Sequence, residues 1–267
     1  MSVHRIAVIG AGRMGGAVIK ALLERGGLEP SSLGASDREE AKVQGLAEEL
    51  GITPFRNNQE ACRWADTVVL AVKPQHALEV MEEVAPAFRA GQLLVSVVMG
   101  RPISFFRRFL PTEVRVVRAM PNTPALIGKG ITAVSFEEGE KEEVRKRALD
   151  IFSCLGEVVE LDEGLQDAAM AVSGCGPAYF FLVAEALMEG GIRLGLDAST
   201  ALRLAVHTMI GAGELLKARG VHPAILKGEV TSPGGSTIAA LEALEEGGLR
   251  AAFFHALRNA WSRAREV

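Results

Sequence analysis

Apolar positions along the chain fall into two regimes. Up to about Asp162 they collect in short runs, at residues 5–10, 33–37, 67–72, 93–99, 114–120, 131–136 and 158–161. Most of these runs are rich in Val and Ile, as strands covered on both faces should be. Between several of them lie stretches with helical spacing, at 14–25, 38–50, 75–88 and 141–152. That alternation predicts an α/β fold, a doubly wound sheet with right-handed crossovers. After Asp162 strong strand candidates cease and the sequence becomes rich in Ala, Leu and Glu. Leu241, Leu244, Phe253, Leu257 and Trp261 form a stripe at helical spacing, which marks a core or an interface rather than a cofactor box.

The first run ends on Gly10-Ala11-Gly12-Arg13-Met14-Gly15-Gly16, between a strand and a helix. This context lifts a GxGxxG pattern above a bare match and predicts a dinucleotide-binding, Rossmann-type domain. Gly10 permits the tight turn, and Gly12 lets the backbone approach a pyrophosphate. Gly15 lets the helix pack close to the sheet, while Arg13 and Met14 open the helix whose free N–H groups face phosphate oxygens. The predicted domains are therefore an N-terminal Rossmann-type unit over residues 1–162 and an all-helical unit over 163–267. The helical part looks thin for an independent globule and gains most by packing against a second copy, so a homodimer is expected.

The end of the second strand should choose the cofactor. Asp37 suits the ribose hydroxyls of NADH, whereas Ser36 and Arg38 suit the 2′-phosphate of NADPH. The signal is mixed and leans only slightly to NADPH. Ala71, Val72, Lys73 and Pro74 follow another strand and should border the cofactor, because ligands of open α/β sheets lie outside the carboxyl ends of strands. Met120-Pro121-Asn122-Thr123-Pro124 ends a further strand, where Asn122 can turn its amide towards the nicotinamide side.

Composition narrows the field. The chain has 267 residues, 48% hydrophobic and only 5% aromatic, with 29 basic against 33 acidic residues and a formal net charge of -4. That balance argues against a nucleic-acid partner, and the scarcity of aromatics against a base-stacking platform. The opening residues lack the series of a secretory signal. The longest uncharged stretch, between Asp167 and Glu185, is broken by Gly174, Gly176 and Pro177, so no membrane partner is expected. Cys62, Cys154 and Cys175 suggest neither a disulfide framework nor a zinc site, and His4, His76, His207, His222 and His255 share no metal spacing. No metal is expected, and the cytoplasm is the expected compartment.

A second glycine turn, Thr231-Ser232-Pro233-Gly234-Gly235-Ser236-Thr237, leads straight into a helical stretch. Ser236 or Thr237 can cap that helix, and the glycines expose backbone N–H groups at its start. With the dinucleotide phosphates already placed elsewhere, such an anion site suits a small substrate carboxylate.

Residues 226–245, centred on this turn, resemble the signature of pyrroline-5-carboxylate reductases. Similar to the same family are the opening glycine loop, Ala71-Val72-Lys73-Pro74-Gln75, Met120 to Pro124 with Gly130-Ile131-Thr132, and Ser173-Gly174-Cys175-Gly176-Pro177-Ala178-Tyr179. The resemblance runs over nearly the whole chain in the expected order. Cys175 stands where serine is also common in the family.

The resemblance implies NADPH- or NADH-dependent reduction of the cyclic imine Δ1-pyrroline-5-carboxylate to L-proline. Ser232 and the backbone N–H groups of Gly234, Gly235 and Ser236 would hold the substrate carboxylate. Thr237 would be the catalytic contact to the imine nitrogen. It also implies an interlocked dimer in which one subunit's turn completes a cleft near the other's nucleotide domain, with Leu202, Leu204, Leu215 and Leu216 as interface positions. Rings of dimers, up to a decamer, are the larger assembly it implies. A β-hydroxyacid dehydrogenase, the nearest rival, would want a catalytic lysine in the helical part, yet Lys217 and Lys227 sit in no suitable motif. A non-catalytic nucleotide-binding regulator would have no reason to keep the second turn.

Overall fold

The structure, a computed structural model, describes residues 4–266. The chain divides into two compact units, Met1–Cys175 with Ala260–Val267, and Gly176–Asn259.

Among the described residues the first unit is built on one sheet of eight strands: β1 (Ile6–Ile9), β2 (Leu33–Ser36), β3 (Thr53–Pro54), β4 (Thr67–Leu70), β5 (Leu93–Ser96), β6 (Arg115–Met120), β7 (Gly130–Ser135) and β8 (Gly156–Glu160). Their order is β3-β2-β1-β4-β5-β6-β7-β8. The seven expected runs all form strands, and β3 is an addition of two residues. The pairs from β3 to β6 are parallel, while β7 runs antiparallel to β6 and β8 parallel to β7. The reversal has a simple cause. A parallel return needs a crossover of a dozen or more residues, and the link from Met120 to Gly130 holds only a short 3-10 turn, Thr123–Ile127.

The six helices of this layer are α1 (Arg13–Glu24), α2 (Glu40–Leu50), α3 (Asn58–Trp64), α4 (Ala77–Val84), α5 (Ile103–Arg107) and α6 (Glu142–Ser153). Alternation along the strands divides them between two faces. Ile6 and Val8 join Ile19 and Leu22 of α1, Val43 of α2 and Phe152 of α6 in one core. Ala7 and Ile9 join Cys62 of α3, Met81 of α4 and Phe106 of α5 in the other. Both faces of the sheet from β1 to β6 are thus covered, which explains the Val, Ile and Leu on both faces of these strands.

The strands end at Glu160, but the first unit runs on to Cys175 because the next turns are pinned to the sheet. In α7 (Gln166–Ala169), the Gln166 amide donates to Ser135 Oγ at 2.9 Å and to the Ala133 carbonyl at 3.2 Å. Asp167 accepts from the nearly buried Arg118 of β6 at 2.7 Å.

At the amino ends of the strands, His4 Nε2 lies 2.9 Å from Thr67 Oγ1, which also accepts from Arg147 at 2.9 Å. Burial first, and Arg147 next, hold the His4 pKa below its ordinary 6.5, against the opposing pull of Asp66. Just below pH 6.5 the unfolded chain therefore binds a proton that the folded chain refuses, so stability should fall as pH drops through that window. His4→Gln should flatten this fall in melting temperature; an unchanged slope would contradict it.

The second unit contains α8 (Gly176–Arg193), α9 (Ala198–Arg219), α10 (Pro223–Glu229), α11 (Ser236–Glu246) and most of α12 (Leu249–Ala264). Asp197 caps α9 by accepting from the Thr200 N–H at 3.0 Å, and Gly220 ends it in the left-handed region. Of its side chains, only Ala184, Ala201 and Ala205 are buried, whereas Phe181, Leu182 and Leu194 are 66–88% exposed. By length and composition the helical stretch Glu163–Arg193 could cross a membrane, with a mean hydropathy of 1.4.

Candidate active site

The glycine loop sits at the carboxyl end of β1, held from both sides. Gly10 N–H donates to the Ser36 carbonyl at 2.8 Å, and Ala71 N–H donates to the Ile9 carbonyl at 2.8 Å. Gly10 has φ +99°, and a Cβ there would come within 2.6 Å of the Ala71 oxygen. A Cβ on Gly15 would overlap the Gly10 carbonyl oxygen, so α1 meets the loop at backbone distance. Gly12 differs, because an added Cβ would meet nothing within 4 Å. The loop is open on that side, and α1 starts there without a side-chain cap, its first-turn N–H groups left for an outside acceptor. These are the features a bound pyrophosphate requires.

A cleft of about 270 Å³ opens beside the loop. Its lining unites Gly10, Gly12, Asp37, Arg38, Ala71, Val72 and Lys73 with Asn58, His76 and Glu83, three positions the sequence reading did not single out. Asn58 is held by Glu83, to which it donates at 2.7 Å, and nothing local in the sequence announces that pair. His76 follows Lys73-Pro74-Gln75 directly and was within reach of the same strand-end argument.

The structure also sorts the residues at the end of β2. Asp37 braces the loop: one carboxylate oxygen accepts from Ala11 N–H at 2.8 Å, the other from Glu39 N–H at 2.9 Å. Ser36 is buried beneath the cleft, its hydroxyl donating to Asn58 Oδ1 at 2.8 Å. Arg38 is exposed at the mouth, its guanidinium 3.4 Å from His76 Nε2. Lys42, also in the lining, is paired with Glu39 at 2.7 Å.

Arg13 is exposed and Met14 half-buried in the first turn of α1, and Pro74 opens a 3-10 turn, Pro74–His76. Asn122 lies apart from the cleft lining, at the end of β6, with both ends of its amide engaged. It donates to the Ser173 carbonyl at 3.0 Å and accepts from the Ile131 N–H at 3.0 Å.

In the second unit, Ser232, Gly234 and Gly235 lie in the turn between α10 and α11, and Ser236 and Thr237 open α11. Gly235 N–H closes it by donating to the Ser232 carbonyl at 3.0 Å, and Gly234 has φ +67°. A Cβ on Gly235 would overlap Ser232 Oγ. The expected capping by Ser236 or Thr237 does not occur: Gly235 is the cap residue, no side chain bonds to the terminus, and Ser236 and Thr237 are already helical. An uncapped terminus keeps its N–H groups available, which serves an anion better than a capped one. Thr237 is half-buried and Ser232 exposed.

The comparisons with known proteins cover the whole chain. A pyrroline-5-carboxylate reductase from Methanosarcina acetivorans is 38% identical over 267 residues, spanning 100% of this chain and 99% of that protein. The chain belongs to the pyrroline-5-carboxylate reductase family. The family model described as pyrroline-5-carboxylate reductase dimerisation matches residues 163–267, and one described as NADP oxidoreductase, coenzyme F420-dependent, matches residues 5–100. Among solved structures, the Coxiella burnetii family member superposes with a TM-score of 0.91 at 33% identity, covering 99% of this chain and 98% of that one. The Plasmodium falciparum enzyme, solved with NADP bound, gives 0.90 at 28% identity, covering 100% and 98%.

Among the described residues no group of three or more His, Cys, Asp or Glu is placed to hold a metal ion. Cys62 is fully buried, and that burial pushes its thiol up to about 12, so it stays protonated and inert.

Proposed function

We propose that the protein reduces Δ1-pyrroline-5-carboxylate to L-proline, the last step of proline biosynthesis, using NADPH in preference to NADH. The observation that carries this reading is the second turn: an uncapped helix start with glycines before it and Thr237 in its first turn, in a chain that aligns end to end with enzymes named for this reaction. The glycine loop and cleft fit the dinucleotide. Gly10, Gly12 and Gly15 shape the pyrophosphate cradle, and the N–H groups at Arg13 and Met14 meet its oxygens. Ala71, Val72, Lys73 and Pro74 border it at the end of β4. A bound reduced nicotinamide supplies the hydride that adds to the imine carbon.

The chain's own residues bind and orient. Ser232 and the N–H groups of Gly234 and Ser236 receive the substrate carboxylate, while Gly235 closes the turn that aims them. Thr237 hydrogen-bonds the imine nitrogen and holds it as it becomes an amine. A protonated imine is already electrophilic, so positioning supplies most of the catalysis and no strong acid is required. The amine then takes its final proton from water.

Two features support NADPH. Asp37, the residue that would favour NADH, already has each carboxylate oxygen accepting from a backbone N–H group. Arg38 stands exposed beside His76 at the cleft mouth, where a 2′-phosphate would meet a guanidinium. Ser36 contributes from below by orienting Asn58. Initial rates with the cyclic imine should therefore be higher with NADPH than with NADH. Arg38→Ala should weaken NADPH by about tenfold or more and NADH by less than about twofold. Equal weakening would contradict the assignment.

The exposed apolar faces of α8 and α9, including Leu202, Leu204 and Leu215, support a homodimer formed through residues 163–267 rather than contact with lipid. In this reading the turn of one chain completes the cleft of its partner, dimers assemble further into a decamer, and the enzyme works in the cytoplasm.

A further inference from the structure

The run Ser173-Gly174-Cys175-Gly176-Pro177 has no part in binding as described so far. Its backbone is unusual. Over Met170–Gly174 the helix widens to a π turn, with Cys175 N–H donating to the Met170 carbonyl at 3.0 Å. Such turns are rare and recur at functional sites. Pro177 adds a second irregularity. It stands four residues after Ser173 and has no N–H, so the Ser173 carbonyl lacks the helical donor it would otherwise receive. Asn122 supplies that donor from outside the helix, at 3.0 Å, and is itself only 8% exposed. Its amide oxygen accepts from Ile131 N–H, which fixes the side chain from the other end.

One amide therefore ties three segments: the end of β6, the start of β7 and the π turn. Its place matters. β6 runs parallel to β5, which runs parallel to β4, and β4 parallel to β1, so Asn122 lies at the same carboxyl edge as the glycine loop and residues 71–74. Arg118 with Asp167 and Gln166 with Ser135 anchor the preceding turn further back along β6 and β7. The Asn122 bond is the anchor closest to the edge where the cofactor is proposed to lie.

We propose that Asn122 is a positioning residue for hydride transfer. It holds the π turn at Ser173–Cys175 as a fixed wall at the nicotinamide end of the carboxyl edge, by satisfying the carbonyl that Pro177 strips of its partner. The proposal rests on the reductase reading above. It predicts a specific genetic interaction, because restoring an N–H at position 177 returns a helical donor to Ser173.

The test uses the full-length protein with Asn122→Asp, which keeps the acceptor for Ile131 and loses the donor for Ser173. Asn122→Ser is the uncharged second variant, and each is made alone and with Pro177→Ala. Turnover should fall about tenfold in each single variant, with the KM for NADPH within about twofold of wild type. Adding Pro177→Ala should recover most of the loss in the Asn122→Ser background. Amide hydrogen exchange across residues 170–176 should quicken in the single variants and slow again in the double. Unchanged turnover, losses that simply multiply, or a KM that rises in step with the fall in kcat would overturn the proposal. If the wild-type protein did not reduce the imine, the functional reading would fail. The exchange measurement would still decide whether Asn122 holds the turn.

Discussion

Gly12→Ala and Gly15→Ala should both weaken nucleotide binding more than about tenfold, yet only the second should destabilise the fold. The two glycines stand three residues apart and face opposite ways. A methyl at Gly15 would overlap the Gly10 carbonyl oxygen, so either α1 must move off the loop or the loop must distort. Overpacking of this kind costs about 1–3 kcal/mol. It also displaces the helix terminus proposed to meet the phosphates. A methyl at Gly12 meets no protein atom within 4 Å and needs no backbone conformation foreign to alanine, since φ there is -74°. It occupies the open side of the loop, where the pyrophosphate should approach. Thermal melts together with NADPH titration separate the cases. The expected pattern is a lowered melting temperature for Gly15→Ala alone, and affinity reduced more than about tenfold in both. Full affinity in Gly12→Ala would remove the loop from the binding site.

Thr237→Ala should lower turnover by about a hundredfold, the scale of losing one aimed hydrogen bond to a reacting centre. The KM for NADPH should barely move, because Thr237 belongs to the second unit's turn and not to the nucleotide cradle. The turn itself should survive the change. It is closed by the Gly235 N–H and the Ser232 carbonyl, and no side chain caps α11. A turnover within about twofold of wild type would exclude Thr237 from the reaction. A matching rise in the KM for the imine, with kcat unchanged, would recast it as a binding contact only.

Much of this was legible in the sequence, for identifiable reasons. β1, β2, β4, β5, β6 and β7 were readable because their apolar side chains are buried, and the largely exposed β8 was marked by Val158 and Val159. β3 was missed because Thr53–Pro54 is two residues long and presents no apolar run. The helices α3 and α5, of seven and five residues, were too short to show a period. The reversal of β7 was not read from the strand pattern, which is the same in either direction. It lay instead in the short link between Met120 and Gly130. At the site, the two glycine turns were legible as local motifs. What stayed hidden was the use of side chains by distant backbone. That Asp37 accepts from the Ala11 N–H was not readable from the sequence, because the two residues stand 26 positions apart. The amide of Asn122 looked free until the carbonyl of Ser173 was placed against it. The expectation that Ser236 or Thr237 caps the helix fell one or two residues too far along, because Gly235 rather than a hydroxyl residue precedes the first turn.

The chemistry proposed for the two turns is a direct transfer of hydride from the nicotinamide to the imine carbon. Purified wild-type protein should be incubated with Δ1-pyrroline-5-carboxylate and NADPH carrying deuterium at the transferable C4 position, and the product analysed by mass spectrometry and NMR. The expected product is L-proline with a single deuterium on C5, the ring carbon that was the imine carbon. Undiminished NADPH, or proline whose C5 carries hydrogen from water instead, would contradict the assignment.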